Sequence, residues 1–305
     1  DRYGVDGGFV LRQVNLNGQD RVFMFGAMGF GGRGAYALDL SKINENYPAA
    51  APLFDVKDGD NNGKNRVKVE LGYTVGTPQI GKTQNGKYAA FLASGYAAKD
   101  IVSSDNTTAL YVYDLKDTLG TPIAKIEAPG GKGGLSSPTL VDKDLDGIVD
   151  IAYAGDRGGN MYRFDLSDND PTKWSVRAIF KGDKPITSAP AVSRLADKRV
   201  VIFGTGSDLS EEDVVGTNQQ YIYGIFDDDK RTVKVTVQNG TAGGLLEQNL
   251  TQENKTLFLT NNKASGGSAD KGWVVKLREG ERVTVKPIVV LRTAFVTIRK
   301  YKDDG

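Results

Sequence analysis

Short runs of apolar, β-branched and aromatic residues alternate along the chain with polar turns, and helical periodicity is almost absent. The turns are rich in Gly, Asn and Asp, so the pattern predicts β-strands joined by tight connections. One strand pattern recurs, an aromatic and apolar run that ends near Asp-Leu. Clear copies occupy residues 35–40, 110–115 and 161–166, and weaker copies occupy residues 221–226 and 272–277.

A second repeated element precedes the aromatic strands. It begins with a proline, which fits the start of a strand because the missing N–H costs no ladder hydrogen bond there. The prolines are Pro78, Pro138 and Pro190. Each proline strand is followed by a strand that ends in glycine, at Gly95, Gly155 and Gly204. The order of proline strand, glycine strand, aromatic strand and outer strand describes a four-stranded antiparallel blade.

The prolines are 60 and 52 residues apart, which suits β-propeller blades of about 40–50 residues with loop insertions. At that rate the chain holds about seven blades. We therefore predict an all-β fold, a β-propeller that forms a single domain over residues 1–305. The end strands, residues 10–14 and 289–292, are expected to pair and complete the ring. A β-sandwich is the alternative, although it does not require the repeated order of elements.

The amino-acid composition excludes several classes of catalytic and metal site. The 305 residues include no Cys and no His, which excludes a Ser-His-Asp triad, an ordinary zinc site and a His- or Cys-ligated haem. Catalysis by carboxylate pairs or by Lys stays open. A formal net charge of +1 gives no basic excess for nucleic acid, and no apolar run reaches the roughly 18 residues that cross a bilayer. The chain starts at Asp1, without Met, so we expect a domain excised from a longer protein.

The densest group of carboxylates lies in a run that reads D-x-D-x-D-G-x-x-D. Hard cations take oxygen ligands, and Ca²⁺ takes roughly six to eight of them. The spacing predicts four side-chain ligands and one backbone carbonyl ligand, with Gly147 at the sharp turn. The predicted metal ligands are Asp142, Asp144, Asp146, Ile148 and Asp150.

This run departs from the EF-hand. The twelfth position counted from Asp142 is Tyr153, where an EF-hand loop carries Glu, and the flanking residues are typical of strands. The prediction is therefore a shortened calcium loop between two β-strands. Magnesium fits less well because it usually keeps several waters. An acidic turn without an ion is the remaining alternative.

A second run has part of the same spacing. Asp58, Asp60 and Asn62 stand at ligand positions, and Gly63 stands at the turn. The ninth position is Arg66, so no carboxylate closes the shell. We interpret this run as a solvated turn in preference to a second ion site.

Several stretches resemble one known family. Residues 133–150 and 154–166, which include the acidic run, resemble the C-terminal domain of the PilC/PilY proteins, large tip-associated proteins of bacterial type IV pili. Residues 4–12, 23–34 and 198–210 are similar to the same family, with the greatest likeness to the neisserial PilC branch. The resemblance extends over essentially the whole chain.

The resemblance implies a modified β-propeller that is similar in fold to quinoprotein dehydrogenases and is not an enzyme. It implies Ca²⁺ on the five ligands named above. It also implies a protein of the pilus tip or outer membrane surface, periplasmic during assembly, that promotes pilus extension against retraction and supports adhesion and twitching motility. The implied partners are pilins or minor pilins, the assembly and secretion machinery, and a host-cell receptor. We expect the family's N-terminal adhesin region to lie outside these 305 residues.

Two other functions stay open. A host receptor- or glycan-binding propeller would use aromatic residues on one face. A quinone-dependent dehydrogenase is a more remote alternative, since propellers of this kind can hold such a cofactor together with a calcium ion. The position of the acidic run at a rim connection, away from a central channel, argues against the dehydrogenase.

Overall fold

The computed structural model describes residues 7–41, 50–61, 67–96, 107–117, 119–131, 133–209, 213, 216, 218–230, 233–240, 244–248, 256–258, 270–290 and 293–301. Regular structure in these ranges is almost entirely β-strand, and a single turn of 3₁₀ helix spans Pro171–Lys173. None of the helical structure in these ranges is long and apolar enough to cross a bilayer. The prediction of an all-β chain is confirmed.

Two four-stranded antiparallel sheets come first along the chain. The strands of the first sheet are β1 (Phe9–Leu16), β2 (Gln19–Ala27), β3 (Gly34–Asp39) and β4 (Ala51–Lys57). Those of the second sheet are β5 (Gln79–Lys82), β6 (Tyr88–Ala93), β7 (Ala109–Asp114) and β8 (Pro122–Glu127). Strands that follow one another in the chain are neighbours in both sheets, which is the predicted order within a blade.

The third sheet repeats this order and gains one strand. Its strands are β9 (Thr139–Val141), β10 (Ile151–Gly155), β11 (Asn160–Asp165) and β12 (Ser175–Lys181), with β16 (Val235–Thr236) added parallel to β12. The fourth sheet has the order β13-β14-β15-β19-β17, and β17 runs parallel to β19. Its strands are β13 (Ala191–Arg194), β14 (Arg199–Gly204), β15 (Tyr221–Asp227), β17 (Leu245–Gln248) and β19 (Gly272–Lys276).

Two smaller sheets complete the described strands. One has three strands in the order β18-β22-β21, and the other pairs β20 with β23. Their bounds are β18 (Thr256–Phe258), β20 (Glu281–Arg282), β21 (Ile288–Val290), β22 (Thr293–Phe295) and β23 (Arg299–Lys300).

The predicted order within a blade is confirmed in the sheets that begin at β5 and β9, whereas the runs at residues 221–226 and 272–277 do not belong to separate blades, because they form β15 and β19 as neighbours in one sheet. The five aromatic runs form β3, β7, β11, β15 and β19, and each repeated proline directly precedes β5, β9 or β13. Four of the described sheets have four or five strands, and the total of about seven blades stays a prediction. Within their own sheets β1 pairs with β2 and β21 pairs with β22. The expected pairing of residues 10–14 with residues 289–292, of which 291 and 292 lie outside the described residues, stays a prediction.

The chain forms two compact units. One comprises Asp1–Ala152 and Phe164–Val176, and the other comprises Tyr153–Arg163 and Arg177–Gly305. The prediction of a single domain over residues 1–305 stays a prediction.

The core of the first unit lies between its first two sheets. Phe25 and Phe54 of the first sheet contact Tyr113 of the second, with ring centroids 6.2 and 5.9 Å apart. All three side chains are buried. Burial of large apolar side chains contributes about 1.5–3 kcal/mol each, so this contact holds the two sheets face to face.

A buried ion network lies inside the second unit. Arg163 donates hydrogen bonds to Asp227 at 2.9 Å and to Asp229 at 2.8 Å. Arg199 donates to Asp229 and to the Tyr153 hydroxyl, and that hydroxyl donates to Asp227. The network connects β10, β11, β14 and β15. Removing one partner would leave a buried charge uncompensated, which costs about 3–5 kcal/mol.

A fully buried carboxylate closes the turn between β10 and β11. The carboxylate oxygens of Asp156 accept hydrogen bonds from the backbone N–H of Asn160 at 2.8 Å and from the Tyr162 hydroxyl at 3.0 Å. Burial raises the pKa of Asp156 to about 6, against these hydrogen bonds, which lower it. The folded protein therefore holds a proton on Asp156 at a higher pH than the unfolded chain does.

Replacing Phe25 by Ala should lower the free energy of unfolding by about 3–5 kcal/mol, because it removes a fully buried ring from the contact between the two sheets. Phe9 lies on the opposite face of the same sheet and is 54% exposed. The matched variant Phe9→Ala should cost less than about 1 kcal/mol. Urea unfolding of the two variants measures both values, and equal costs would contradict the assignment of the core.

The stabilising contribution of Asp156 should depend on pH. Its pKa is raised in the folded state from the ordinary 3.8 to about 6. The contribution is therefore fully present below the lower value and is lost as pH rises through the upper one, a loss of about 3 kcal/mol. Urea unfolding from about pH 4 to pH 7 should show this fall, and Asp156→Asn should flatten it. An identical pH slope in the variant would show that Asp156 titrates normally.

Candidate metal centre

The acidic run forms the connection between β9 and β10, as predicted. The backbone N–H of Asp150 donates to the carbonyl of Val141 at 2.9 Å, which closes the base of the loop. On its other side the loop contacts the end of β5, where the N–H of Val149 donates to the carbonyl of Lys82 at 2.8 Å. Ile148 and Lys82 also form an isolated parallel bridge. Two strand ends and a neighbouring strand thus fix the loop.

Asp142 shapes the turn at the tip of the loop. Its carboxylate oxygens accept hydrogen bonds from the N–H of Asp146 at 3.2 Å and of Gly147 at 2.7 Å. Gly147 has a φ of +84°, in the left-handed region that favours glycine. Leu145 also has a left-handed φ, of +59°, which costs a residue with a Cβ about 1–2 kcal/mol. The Asp142 carboxylate stabilises this turn.

The carboxylates of Asp146 and Asp150 are oriented by backbone and side-chain donors. Oδ1 of Asp146 accepts a hydrogen bond from the N–H of Ile148 at 2.9 Å. Oδ2 of Asp150 accepts from the N–H of Lys143 at 2.7 Å, and Oδ1 of Asp150 accepts from Nε2 of Gln84, also at 2.7 Å. These bonds fix the orientation of both carboxylates.

Four of the five predicted ligand residues converge. Asp142, Asp144, Asp146 and Asp150 each offer a carboxylate oxygen, and these oxygens all lie within 4.8 Å of one another. Asp150 is buried, Asp142 is half-buried and the other two are exposed, so the cluster opens to solvent on one side. Among the described residues, no other group of three or more acidic side chains converges in this way.

The charges in the cluster oppose one another. Burial raises the pKa of Asp150, and the negative charges of Asp144 and Asp146 raise it further, while the hydrogen bond from the Lys143 N–H lowers it. Asp150 therefore resists ionisation unless a positive charge is nearby. A divalent cation among the four carboxylates would supply that charge.

The geometry fits a calcium ion. Oxygen ligands about 2.3–2.6 Å from Ca²⁺ lie at most about 5 Å apart, and the four carboxylate oxygens meet this limit. The absence of nitrogen and sulfur donors from the cluster favours a hard cation over zinc or copper. Ile148 lies in the loop between Asp146 and Asp150, and its carbonyl as a fifth ligand stays a prediction.

Sequence reasoning missed Gln84. This residue lies 66 positions before Asp150 in the chain, just after β5, and its amide donates to the Asp150 carboxylate. No local motif marks it, because only the packing of the second sheet against the loop brings the two residues together. Gln84 is the side chain that orients the most buried of the four acidic groups.

The second acidic run behaves as a turn. Oδ1 of Asp58 accepts a hydrogen bond from the N–H of Leu71 at 2.9 Å, and Oδ2 of Asp60 accepts from the N–H of Lys57 at 2.9 Å. These bonds use the carboxylates to hold backbone. Asn62 and Gly63, the other members of this run, lie outside the described residues.

Comparison with known proteins yields one consistent family. A protein-family model described as the PilY1 beta-propeller domain matches residues 1–263. The type IV pilus biogenesis factor PilY1 of Pseudomonas aeruginosa is 30% identical over 298 residues, which cover 84% of this chain and 24% of that protein. A PilY1 homolog of Xylella fastidiosa is 29% identical over 253 residues, covering 74% of this chain and 16% of that protein.

A solved structure shares the fold. The crystal structure of the Pseudomonas aeruginosa PilY1 C-terminal domain matches with a TM-score of 0.76 and 24% identity, over 98% of this chain and 68% of that chain. The 305 residues thus span about a quarter or less of the length of the curated relatives. These findings confirm the β-propeller fold and the resemblance to the PilC/PilY proteins. The chain belongs to the PilY1 β-propeller domain family.

Proposed function

We propose that this domain is a non-enzymatic, calcium-binding module of a type IV pilus biogenesis protein. The observation that carries the proposal is the convergence of four aspartate oxygens within 4.8 Å in a loop fixed between two strands. The names of the curated relatives, which are type IV pilus biogenesis factors, supply the context of pilus assembly.

Different residues hold the tip and the base of the loop. Asp142 holds the turn through the N–H groups of Asp146 and Gly147, and Gln84 and Lys143 hold Asp150 at the base. Bound calcium supplies the positive charge that offsets the repulsion among the carboxylates. The loop is then rigid and presents a defined surface, whereas without the cation mutual repulsion favours opening at the exposed Asp144 and Asp146.

We place this calcium-dependent loop outside the cytoplasm, at the pilus tip or outer membrane surface. The protein would pass through the periplasm during assembly. Calcium is plentiful there, so a site with a Kd on the order of 10⁻⁴ M would be filled. The calcium-bound loop would favour pilus extension over retraction through contacts with pilins, minor pilins or the assembly machinery. Twitching motility and adhesion, with a host-cell receptor as a further partner, would follow from the pili that this balance maintains.

Calcium binding should depend on Asp144 and not on its neighbour Lys143. Asp144 is an exposed ligand, and the hydrogen bonds that shape the turn involve the other three carboxylates. Asp144→Asn should therefore raise the Kd for Ca²⁺ about 100-fold by removing one charged ligand. Lys143→Ala keeps all four carboxylates and should leave the Kd within about twofold. Isothermal titration of the chelator-treated domain gives both values. Equal Kd values for the two variants would refute the ligand assignment.

The same two variants test the role in the pilus. Each substitution is made in the native gene of the organism that produces the protein. Asp144→Asn should reduce the number of surface pili and twitching motility, while Lys143→Ala should leave both unchanged. Deleting retraction activity should restore pili to Asp144→Asn cells if the site acts on the balance between extension and retraction. Normal piliation in Asp144→Asn cells, together with lost calcium binding, would show that pilus assembly does not require calcium at this site.

Gln84 should contribute to calcium affinity without being a ligand. Its amide orients Asp150, so Gln84→Leu should raise the Kd by about tenfold, as expected for a residue that positions a metal ligand. Gln79, in β5, gives a matched substitution away from the loop, and Gln79→Leu should leave the Kd unchanged. Titrations of both variants that agree with the unmodified domain would show that calcium binding does not need Gln84.

A further inference from the structure

Four connections lie at the same end of the strands that surround the acidic loop. In an antiparallel sheet with strands in chain order, alternate connections share one end, so β5–β6 lies beside β7–β8, and β9–β10 lies beside β11–β12. The N–H of Leu115 donates to the carbonyl of Tyr88, and the N–H of Leu166 donates to the carbonyl of Asp150, which closes both pairs. We name these connections the four-loop rim, and they comprise residues 83–87, 115–121, 142–150 and 166–174.

The four connections belong to one surface of the first compact unit, which contains all of their residues. The bridge between Ile148 and Lys82 and the hydrogen bond from Gln84 to Asp150 join the β9–β10 connection to the end of β5. The 3₁₀ turn in the β11–β12 connection contacts β8. The rim therefore combines connections of two neighbouring sheets around the acidic loop.

Two leucines project from this rim. Leu145 is 77% exposed and Leu119 is 75% exposed, the highest values among the large apolar side chains of the described residues. Other apolar residues of the same connections, Leu115, Leu166 and Trp174, are buried in the core. A single exposed leucine is ordinary on a protein surface. Two such leucines on one rim, beside apolar neighbours that are buried, give the surface a pair of apolar anchors.

Leu145 is exposed in a strained backbone conformation. Its φ of +59° lies in the left-handed region, which Gly and Asn adopt more readily than Leu does. The turn around it is held by Asp142, which accepts hydrogen bonds from the N–H groups of Asp146 and Gly147. Holding a cation needs no apolar side chain at this position. Strain at an exposed apolar residue therefore points to a contact that the side chain makes.

The charges of the rim select the kind of partner. Its four connections contain seven Asp and four Lys, an excess of three negative charges that a bound calcium ion would reduce to one. Asp144 and Asp146 flank Leu145 and are exposed, as are Asp168 and Asp170 of the β11–β12 connection. An anionic lipid surface would be repelled by these groups, whereas a protein socket bordered by Lys or Arg would be attracted.

We propose that the four-loop rim docks a protein partner in pilus assembly by inserting Leu119 and Leu145 into apolar sockets bordered by Lys or Arg. The inference rests on the proposed function, since calcium holds the loop that presents Leu145, and it adds the contact residues and the chemistry of the partner. Burial of each leucine would strengthen the association about tenfold or more. Calcium would assist docking by lowering the negative charge that must be covered.

Substitutions in the native gene test the two anchors. Leu145→Asn suits the left-handed backbone and removes no ligand, so the Kd for Ca²⁺ should stay at or below that of the unmodified domain while surface pili fall in number. Leu145→Met keeps an apolar side chain and should keep the pili. Leu119→Asn should also reduce the pili. Val233, which is 74% exposed and belongs to the other compact unit, gives the matched control Val233→Asn, which should leave them unchanged.

The outcomes separate this inference from the proposed function. Normal pili in both Leu119→Asn and Leu145→Asn cells would overturn the docking surface, and so would lost calcium binding in Leu145→Asn, because the leucine would then act within the loop. Reduced pili in Leu145→Asn cells together with normal pili in Asp144→Asn cells would support the docking surface and contradict the calcium requirement.

A vesicle assay tests the other class of partner. The purified domain should not sediment with phosphatidylglycerol vesicles, with or without calcium, because the rim is acidic. Calcium-dependent sedimentation that Leu145→Asn abolishes would overturn the proposal by assigning Leu145 to a lipid surface.

Discussion

Repulsion among four carboxylates is the constraint on which the candidate site depends. The loop from Asp142 to Asp150 brings their oxygens within 4.8 Å of one another, and it raises the pKa of Asp150 by burial and by neighbouring negative charge. Backbone N–H groups offset part of this cost, since they donate to Asp142, Asp146 and Asp150. They do not remove the repulsion among the four carboxylates, and a divalent cation bound among them would offset a larger part of it.

The strand arrangement of the blade fixes the position of the acidic loop. β9 and β10 are adjacent antiparallel strands, so the connection between them must reverse direction at one edge of the sheet. The bridge between Ile148 and Lys82 anchors the loop to β5 of the second sheet. Gln84, just after that strand, reaches Asp150. The loop is thus anchored by strands at both of its ends and by β5 beside it, which limits how far the carboxylates can move apart.

Local sequence patterns predicted the strands and the acidic loop because both depend on spacing. The period of the blade follows from prolines before β5, β9 and β13, and the acidic cluster follows from carboxylates at alternate positions. Long-range features left no such pattern. Gln84 meets Asp150 across 66 residues, and Arg163 meets Asp227 across 64. The parallel pairing of β16 with β12 could not be predicted from the sequence either, because a strand of two residues shows no periodicity.

Anomalous diffraction from crystals of the domain grown with calcium tests the central claim most directly. The account predicts a peak at the centre of the four carboxylates, within about 2.3–2.6 Å of an oxygen from each aspartate. It predicts no such peak in crystals of Asp144→Asn grown at a calcium concentration near the Kd of the unmodified domain. A loop without a peak at saturating calcium, with the carboxylates still converged, would show that the acidic turn needs no ion.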